Sequence, residues 1–284
     1  MNGTVSHKSA PTMPTYPGLD PTAPAELKFW LTVTRRLPQM KGCGKLCALM
    51  MKIYNRKKRS DAAADVFGAR MILDPADCVE GQLLFSPQLY DRREVACLRK
   101  LLKAGDTFVD AGANVGFYSF LASEIVGPTG NVIAIEADPV TASRLARNLQ
   151  ENDVKNVRLI NAGLSDAPGV LKLGRDLGGN RGGNSFLYDS PHWVDVECKT
   201  LATILAAENV SKIDGAKFDI EGFEFKVLKR FFEEARRDLC PRFFIIEYAP
   251  SYAERAGGNS IELLKDHGYQ VERIKEHNYL AVRE

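Results

Sequence analysis

A chain of 284 residues, 45% apolar and 26% charged, has room for one large domain or two small ones around a real core, which excludes a fibrous or wholly disordered protein. A net charge of +2 gives it no overall basic or acidic character, and six cysteines at 43, 47, 78, 97, 198 and 240 form no short framework. That scatter favours reduced thiols in a cytoplasmic setting over a disulfide-stapled secreted domain, and no apolar run approaches the length needed to span a bilayer.

Residues 1–24, rich in Pro, Ser and Thr and without an apolar h-region, read as a disordered lead-in and not as a secretory signal. Residues 25–60 read as a basic helical extension. Between Leu27 and Ser60 stand ten Lys/Arg and no acid, which leaves the rest of the chain at −8. The stretch KLCALMMKIYNRKKR and the apolar residues before it allow two short helices. Two readings stay open: a cap that pairs with the acidic domain, or a peripheral contact with an anionic membrane or glycolipid through residues 27–60. Nucleic acid is not expected, since no RRM, KH or helix-turn-helix pattern accompanies the charge.

From 61 to 284 short apolar runs alternate with helix-length amphipathic segments. TFVDAG is a strand and Gly116–Val126 a helix closed by GPTG. NVIAIEA is the next strand, Pro139–Asn152 a helix, and NVRLINAGLSD a strand and loop. GVLKLG and WVDVECKTL are extended, with a glycine-rich loop between them, and Thr200–Asn209 is helical. AKFDIEG, RFFIIEYAP, YQVERI and NYLAVRE are strands, with helices over Gly222–Arg237 and Ser260–His267. Such alternation predicts an α/β fold with a mostly parallel central sheet and helices on both faces.

Strands buried on both sides should be almost wholly apolar. Here several are, until an acid ends them: Asp110 after TFV, Glu136 after VIAI, Asp219 and Glu221 in KFDIE, and Glu247 after FFII. Parallel strands share one carboxyl edge, where ligands bind, so these acids should gather on one rim. A pyrophosphate would be repelled there, and no G-x-G-x-x-G turn or Walker lysine offsets the charge. S-adenosylmethionine fits better, with its sulfonium, ammonium and ribose diol and no phosphate. In the D-x-G-x-N-x-G turn, Gly112 and Gly116 would let the backbone turn sharply and approach the cofactor, while Asn114 tolerates unusual backbone angles. Asp110 would act on the methionine end, and Glu136, 26 residues on, is placed for the ribose hydroxyls.

The stretches FVDAGANVGFYS (108–119), IAIEADP (133–139), NAGLSD (161–166) and KFDIEGFEFKVLK (217–229) resemble the FkbM-type methyltransferases, as do IIEYAP and ELLKDHGYQV in character. The resemblance covers roughly 88–271, and K-x-D-x-E-G-x-E is its more specific motif; Phe218, Phe225 and Lys226 depart from the usual residues. It implies a Rossmann-like class I methyltransferase fold and S-adenosylmethionine as cofactor. It implies methyl transfer to a hydroxyl of a sugar, glycolipid or polyketide-type metabolite. By the same resemblance Asp110, Gly112, Asn114, Gly116 and Glu136 match the cofactor site, and Ser165 and Asp166 the place that bounds the adenine.

Asp219 and Glu221, two apart on a predicted strand, should share one face with Lys217. They are the candidate catalytic pair, in one of three roles. One of them is a general base; or both hold a divalent cation such as Mg²⁺; or Glu221 caps the next helix while Asp219 pairs with Lys217. Acceptor specificity is expected in the 175–193 loop, with Asn184, Tyr188, His192 and Trp193 as candidates. Methylation of nitrogen and a non-catalytic cofactor-binding adaptor are the alternatives to the O-methyltransferase reading.

Overall fold

The computed structural model describes residues 23–283 except 41, 58, 177, 188, 237 and 238. Residues 1–22 of the expected lead-in and Tyr188 lie outside the described residues, while Ala23 packs on the core and Pro24 precedes the first helix. In chain order, α1 (Ala25–Thr34) and α2 (Cys43–Tyr54) precede a hairpin of β1 (Ala62–Val66) and β2 (Ala69–Leu73). Then come α3 (Cys78–Phe85), α4 (Arg92–Leu101), β3 (Thr107–Ala111), α5 (Phe117–Val126), β4 (Asn131–Glu136) and α6 (Pro139–Glu151). Next are β5 (Val157–Asn161), β6 (Gly163–Leu164), β7 (Gly169–Gly174), β8 (Trp193–Lys199) and α7 (Leu201–Ala207). The chain continues with β9 (Gly215–Phe218), α8 (Glu224–Glu234), β10 (Phe243–Glu247), α9 (Pro250–Ala256), α10 (Ser260–Asp266), β11 (Gln270–Arg273) and β12 (Asn278–Val282).

The central sheet has the order β11-β12-β10-β9-β3-β4-β5, parallel throughout except for β12, which is antiparallel to both neighbours. From β3 the chain winds outward through β4 and β5, then returns to β9 on the other side. The reversal lies between β3 and β9, and a ligand crevice belongs beyond their carboxyl ends.

Alternate residues of each strand enter different cores. Phe108, Val132, Phe243 and Ile245 face α4, α5 and the N-terminal elements. Val109, Ile133, Phe244 and Ile246 face α7, α8 and α10. Helices therefore cover both faces, which is why these strands read as unbroken apolar runs. α6 starts as its sequence dictates: Pro139 takes the first position, and the Asp138 side chain accepts from Val140 N and Thr141 N.

The extension packs through Leu27, Leu31 and Tyr54 into the first core. Thr34 Oγ1 donates to Phe85 O, and the Arg35 guanidinium donates to Leu84 O and Asp65 O. One correction concerns β9, which ends at Phe218. Asp219 and Glu221 therefore lie in the following turn, where strand alternation does not set their direction.

Candidate active site

The turn after β3 is built from left-handed backbone: φ is 81° at Gly112, 50° at Asn114 and 99° at Gly116. Gly112 N and Ala113 N both donate to Ile135 O, and Asp219 N donates to Ala111 O, so the ends of β4, β3 and the β9 turn are tied together. A Cβ on Gly112 would stand 1.8 Å from Asp219 O, and one on Gly116 would stand 2.3 Å from Leu145 Cδ1. The missing Cβ atoms thus make room for the chain's own neighbours, and not only for a cofactor as the sequence suggested.

Asn114 N donates to Glu136 Oε2 at 2.8 Å and Asp138 N to Glu136 Oε1 at 2.9 Å. Burial raises the Glu136 carboxyl to about 7, against those two hydrogen bonds. Asp110 stands opposite Lys217 in the register, wholly buried, and accepts from Ser119 Oγ at 2.6 Å; its Oδ1 has no partner. Burial raises the Asp110 carboxyl, while Lys217 pulls it down.

A pocket opens beyond these strand ends. Gly112, Asn114, Glu136, Lys217, Asp219 and Glu221 line it; Asp110 and Gly116 lie behind the lining. Ser165 Oγ donates to Asp166 Oδ1, and the wall nearby is made by Ala162 and Leu164 instead. The loop between β7 and β8 covers the mouth with Asn180, Arg181, Asn184 and Phe186. Arg175 clasps Asp138 at 2.6 and 3.0 Å, and Asn184 adds a third bond to the same carboxylate. Arg181 reaches Asp74 at 2.8 Å and Glu80 at 2.9 Å. His192 and Trp193 are exposed and outside the pocket lining.

Val79 and Leu83 of α3, together with Tyr90, complete a wall that sequence reasoning missed. A signal existed: Asp77 and Glu80 stand three apart before an apolar run, and Asp77 indeed caps α3.

Behind the lining, Glu247 joins Asp219 and Glu221, and oxygens of the three lie within 4.8 Å of one another. Lys217 Nζ, on a side chain only 7% exposed, donates to Asp219 Oδ2 at 2.6 Å and sits 4.6 Å from the Tyr118 ring centre. Tyr252 Oη donates to Glu221 Oε2 at 2.9 Å, and Ser185 Oγ holds Glu221 O at 2.6 Å, steadying a residue whose φ is 53°. Glu224, the first residue of α8, anchors the same turn by accepting from Ile220 N; among the described residues no side-chain hydrogen bond caps α8, so Glu221 does not take the capping role the sequence offered it.

Three carboxyl groups this close cannot all ionise. Burial opposes charge on Asp219, but the Lys217 ammonium and hydrogen bonds from Lys217 and Glu247 hold it below the usual range. Burial and then the charge of Asp219 raise Glu221 to about 7. Burial, then Asp219 and Glu221, raise Glu247 to about 10. Glu247 is therefore pushed towards its neutral form at pH 7, its O–H donating a hydrogen bond to the Asp219 carboxylate.

An acid whose folded pKa is raised stabilises the fold fully below its unfolded value, here 4.5, and that stability is lost as pH climbs towards about 10. Glu247→Gln mimics the protonated form. Its melting temperature should fall several degrees less than the parent's between pH 7 and 10 in thermal scans; parallel curves would show that Glu247 is not the proton holder.

The cations bordering the pocket are committed, Lys217 to Asp219 and Arg181 to Asp74 and Glu80. The charge left over is carboxylate. That donor set suits a cationic sulfonium with a diol and would repel a pyrophosphate. A divalent cation among Asp219, Glu221 and Glu247 would have to displace the Lys217 ammonium from Asp219, 2.6 Å away, before it could take that oxygen.

The family model for the methyltransferase FkbM domain matches residues 110–271. Methyltransferase sdnD of Sordaria araneosa is 30% identical over 206 residues, spanning 61% of this chain and 76% of that protein. Methyltransferase 1 of Beauveria bassiana is 27% identical over 191 residues, 59% of this chain and 75% of that one. Among solved structures, M. jannaschii TYW2 in complex with AdoMet covers 80% of this chain and 86% of its own, at 18% identity and a TM-score of 0.45. A likeness that loose carries no argument.

Proposed function

The chain belongs to the FkbM methyltransferase family and is an S-adenosylmethionine-dependent methyltransferase, and from that premise we propose that it methylates a hydroxyl oxygen of a carbohydrate, glycolipid or polyketide-type metabolite. The observation that carries this reading is Glu221. It lines the pocket, its carboxyl sits at about 7, and Tyr252 orients it. A hydroxyl nucleophile must lose a proton on transfer, whereas a neutral amine can attack without a base. A carboxylate poised near neutrality is the group for that task.

Bound in the pocket, S-adenosylmethionine supplies an electrophilic methyl group on a good leaving group. Glu136 would hold its ribose hydroxyls, and the Gly112–Asn114 backbone would border its amino-acid end. Glu221 takes the acceptor's proton as the oxygen attacks. Asp219, kept ionised by Lys217, is the weaker base of the two and serves to raise Glu221 and to position the acceptor. The β7–β8 loop, clasped to Asp138, Asp74 and Glu80, excludes water from the reacting atoms.

Labelled donor offered to paired panels of sugars, glycolipids and polyketides, each with a hydroxyl or an amine at the same position, tests the reading directly. Label on oxygen supports it; label confined to nitrogen overturns it. For the donor end, Glu136→Ala should weaken the calorimetric affinity for S-adenosylmethionine roughly 10- to 100-fold, the worth of hydrogen bonds to a charged group. Glu136→Gln, which keeps one acceptor oxygen, should lose less. Parent-like affinity in the alanine variant would remove Glu136 from the site.

A further inference from the structure

Nine large hydrophobic residues are exposed among the described residues, and six of them, Phe29, Val33, Met40, Leu46, Leu49 and Ile53, fall within α1, α2 and their link. Chance scatter over the chain would not gather them so. On α2 the division is sharp. Cys47 and Tyr54 turn inward, while Leu46, Leu49 and Ile53, at helical spacing, form a stripe on an outer face, with Leu49 54% exposed. Lys45 and Lys52 stand four before and three after Leu49, so both border that stripe on the helix surface. Both are exposed, and neither pairs with an acid among the described residues. No acid occurs from Leu27 to Ser60.

We propose that the outer face of α1 and α2 docks on an anionic lipid surface, with Leu46, Leu49 and Ile53 entering the acyl boundary and Lys45 and Lys52 engaging the headgroups. An apolar strip with a basic border is the pattern of a helix lying in a membrane interface. A nucleic acid would use the charge but leave the apolar strip wet. A second copy bringing the same face would set Lys45 and Lys52 against their own counterparts, with no acid between Leu27 and Ser60 to offset them. Among the described residues no helix is long and apolar enough to cross a membrane, so the contact is with the surface. α2 also packs on α3, whose opposite contacts line the pocket through Val79 and Leu83, so the docked face is one helix away from the reacting groups. The proposal stands whichever acceptor the enzyme uses.

Co-sedimentation of the full chain with vesicles tests it. Vesicles of phosphatidylcholine with a third phosphatidylserine should retain the protein, and pure phosphatidylcholine should not; high salt should release it. Lys45→Gln with Lys52→Gln should lower the partition about tenfold or more, at roughly a fivefold loss per cation. Leu46→Glu with Leu49→Glu should abolish retention while leaving the heat of S-adenosylmethionine binding unchanged and the melting temperature close to the parent's, because these are the two most exposed members of the stripe. No retention by the anionic vesicles overturns the proposal, as does equal retention of parent and variants. A dimer in solution that the glutamate variant dissociates also overturns it, by assigning the face to a second copy.

Discussion

Glu221→Gln is expected to lower kcat by about 10²- to 10⁴-fold, the usual contribution of a positioned base, while the affinity for S-adenosylmethionine stays within a few-fold of the parent's. Glutamine keeps the shape and the acceptor for Tyr252 Oη but cannot take a proton. It also relieves charge crowding beside Asp219, so the variant should melt no lower than the parent, and lost turnover cannot be blamed on lost folding. The pH profile gives an independent reading. A base with a pKa of about 7 is protonated and idle below that pH, so with S-adenosylmethionine saturating, which removes the titration of Glu136 from the profile, parent kcat/KM for the acceptor should fall tenfold per unit on the acid side of 7, and the variant should lack this limb. Turnover in the variant within threefold of the parent, with the acid limb intact, would falsify Glu221 as the base and pass the role to Asp219.

Gly112→Ala should be the most destructive single methyl group in the domain. At φ 81° an L side chain costs about 1–2 kcal/mol. That term alone is survivable. The added Cβ would also stand 1.8 Å from Asp219 O, a backbone atom that no rotamer change can move aside. To make room, the β3 turn and the β9 turn must part, which breaks the Asp219 N to Ala111 O bond and shifts the carboxylates. A loss above about 4 kcal/mol is expected, a large share of the 5–15 kcal/mol that holds a domain together. Gly68→Ala separates the two costs. Its φ is 90°, yet nothing lies within 4 Å of the added atom, so only the backbone term applies. Chemical denaturation should therefore show Gly68→Ala losing about 1–2 kcal/mol and Gly112→Ala several times more. Equal losses would mean that strain, and not the close approach to Asp219, explains the glycine.

Much of this site was legible because parallel strands announce themselves. TFVD, VIAIE and FFIIE are apolar on both faces and stop at a polar residue where the sheet ends, so Asp110, Glu136 and Glu247 could be sent to one rim before any topology was known. What sequence could not show depends on non-local or non-periodic facts. Asp219 and Glu221 meet through a left-handed Glu221 whose carbonyl is held by Ser185, next to an Ile220 amide that Glu224 anchors, and no residue pattern forecasts a positive φ at glutamate. The clasp of Arg175 on Asp138 joins positions 37 apart through a folded-back hairpin. Proton ownership in the acid cluster rests on burial and on Lys217, which make Asp219 the ionised member and Glu247 the neutral one. The wall from α3 was within reach, since Asp77 and Glu80 carry a helix-start signal, but it lies outside the alternating pattern that drew attention to the rest.

The position of β12 bears on how the molecule is assembled. It is made after β11 yet lies inside it, between β11 and β10. β11 thus has no docking edge of its own until β12 arrives, and the β10 flank, with its unmatched amides and carbonyls, stays open to stray strands through the synthesis of α9 and α10. The short link 274–277 lets the two strands zip locally before either meets the sheet. A β11–β12 ribbon formed in this way would cover the β10 flank in a single docking step.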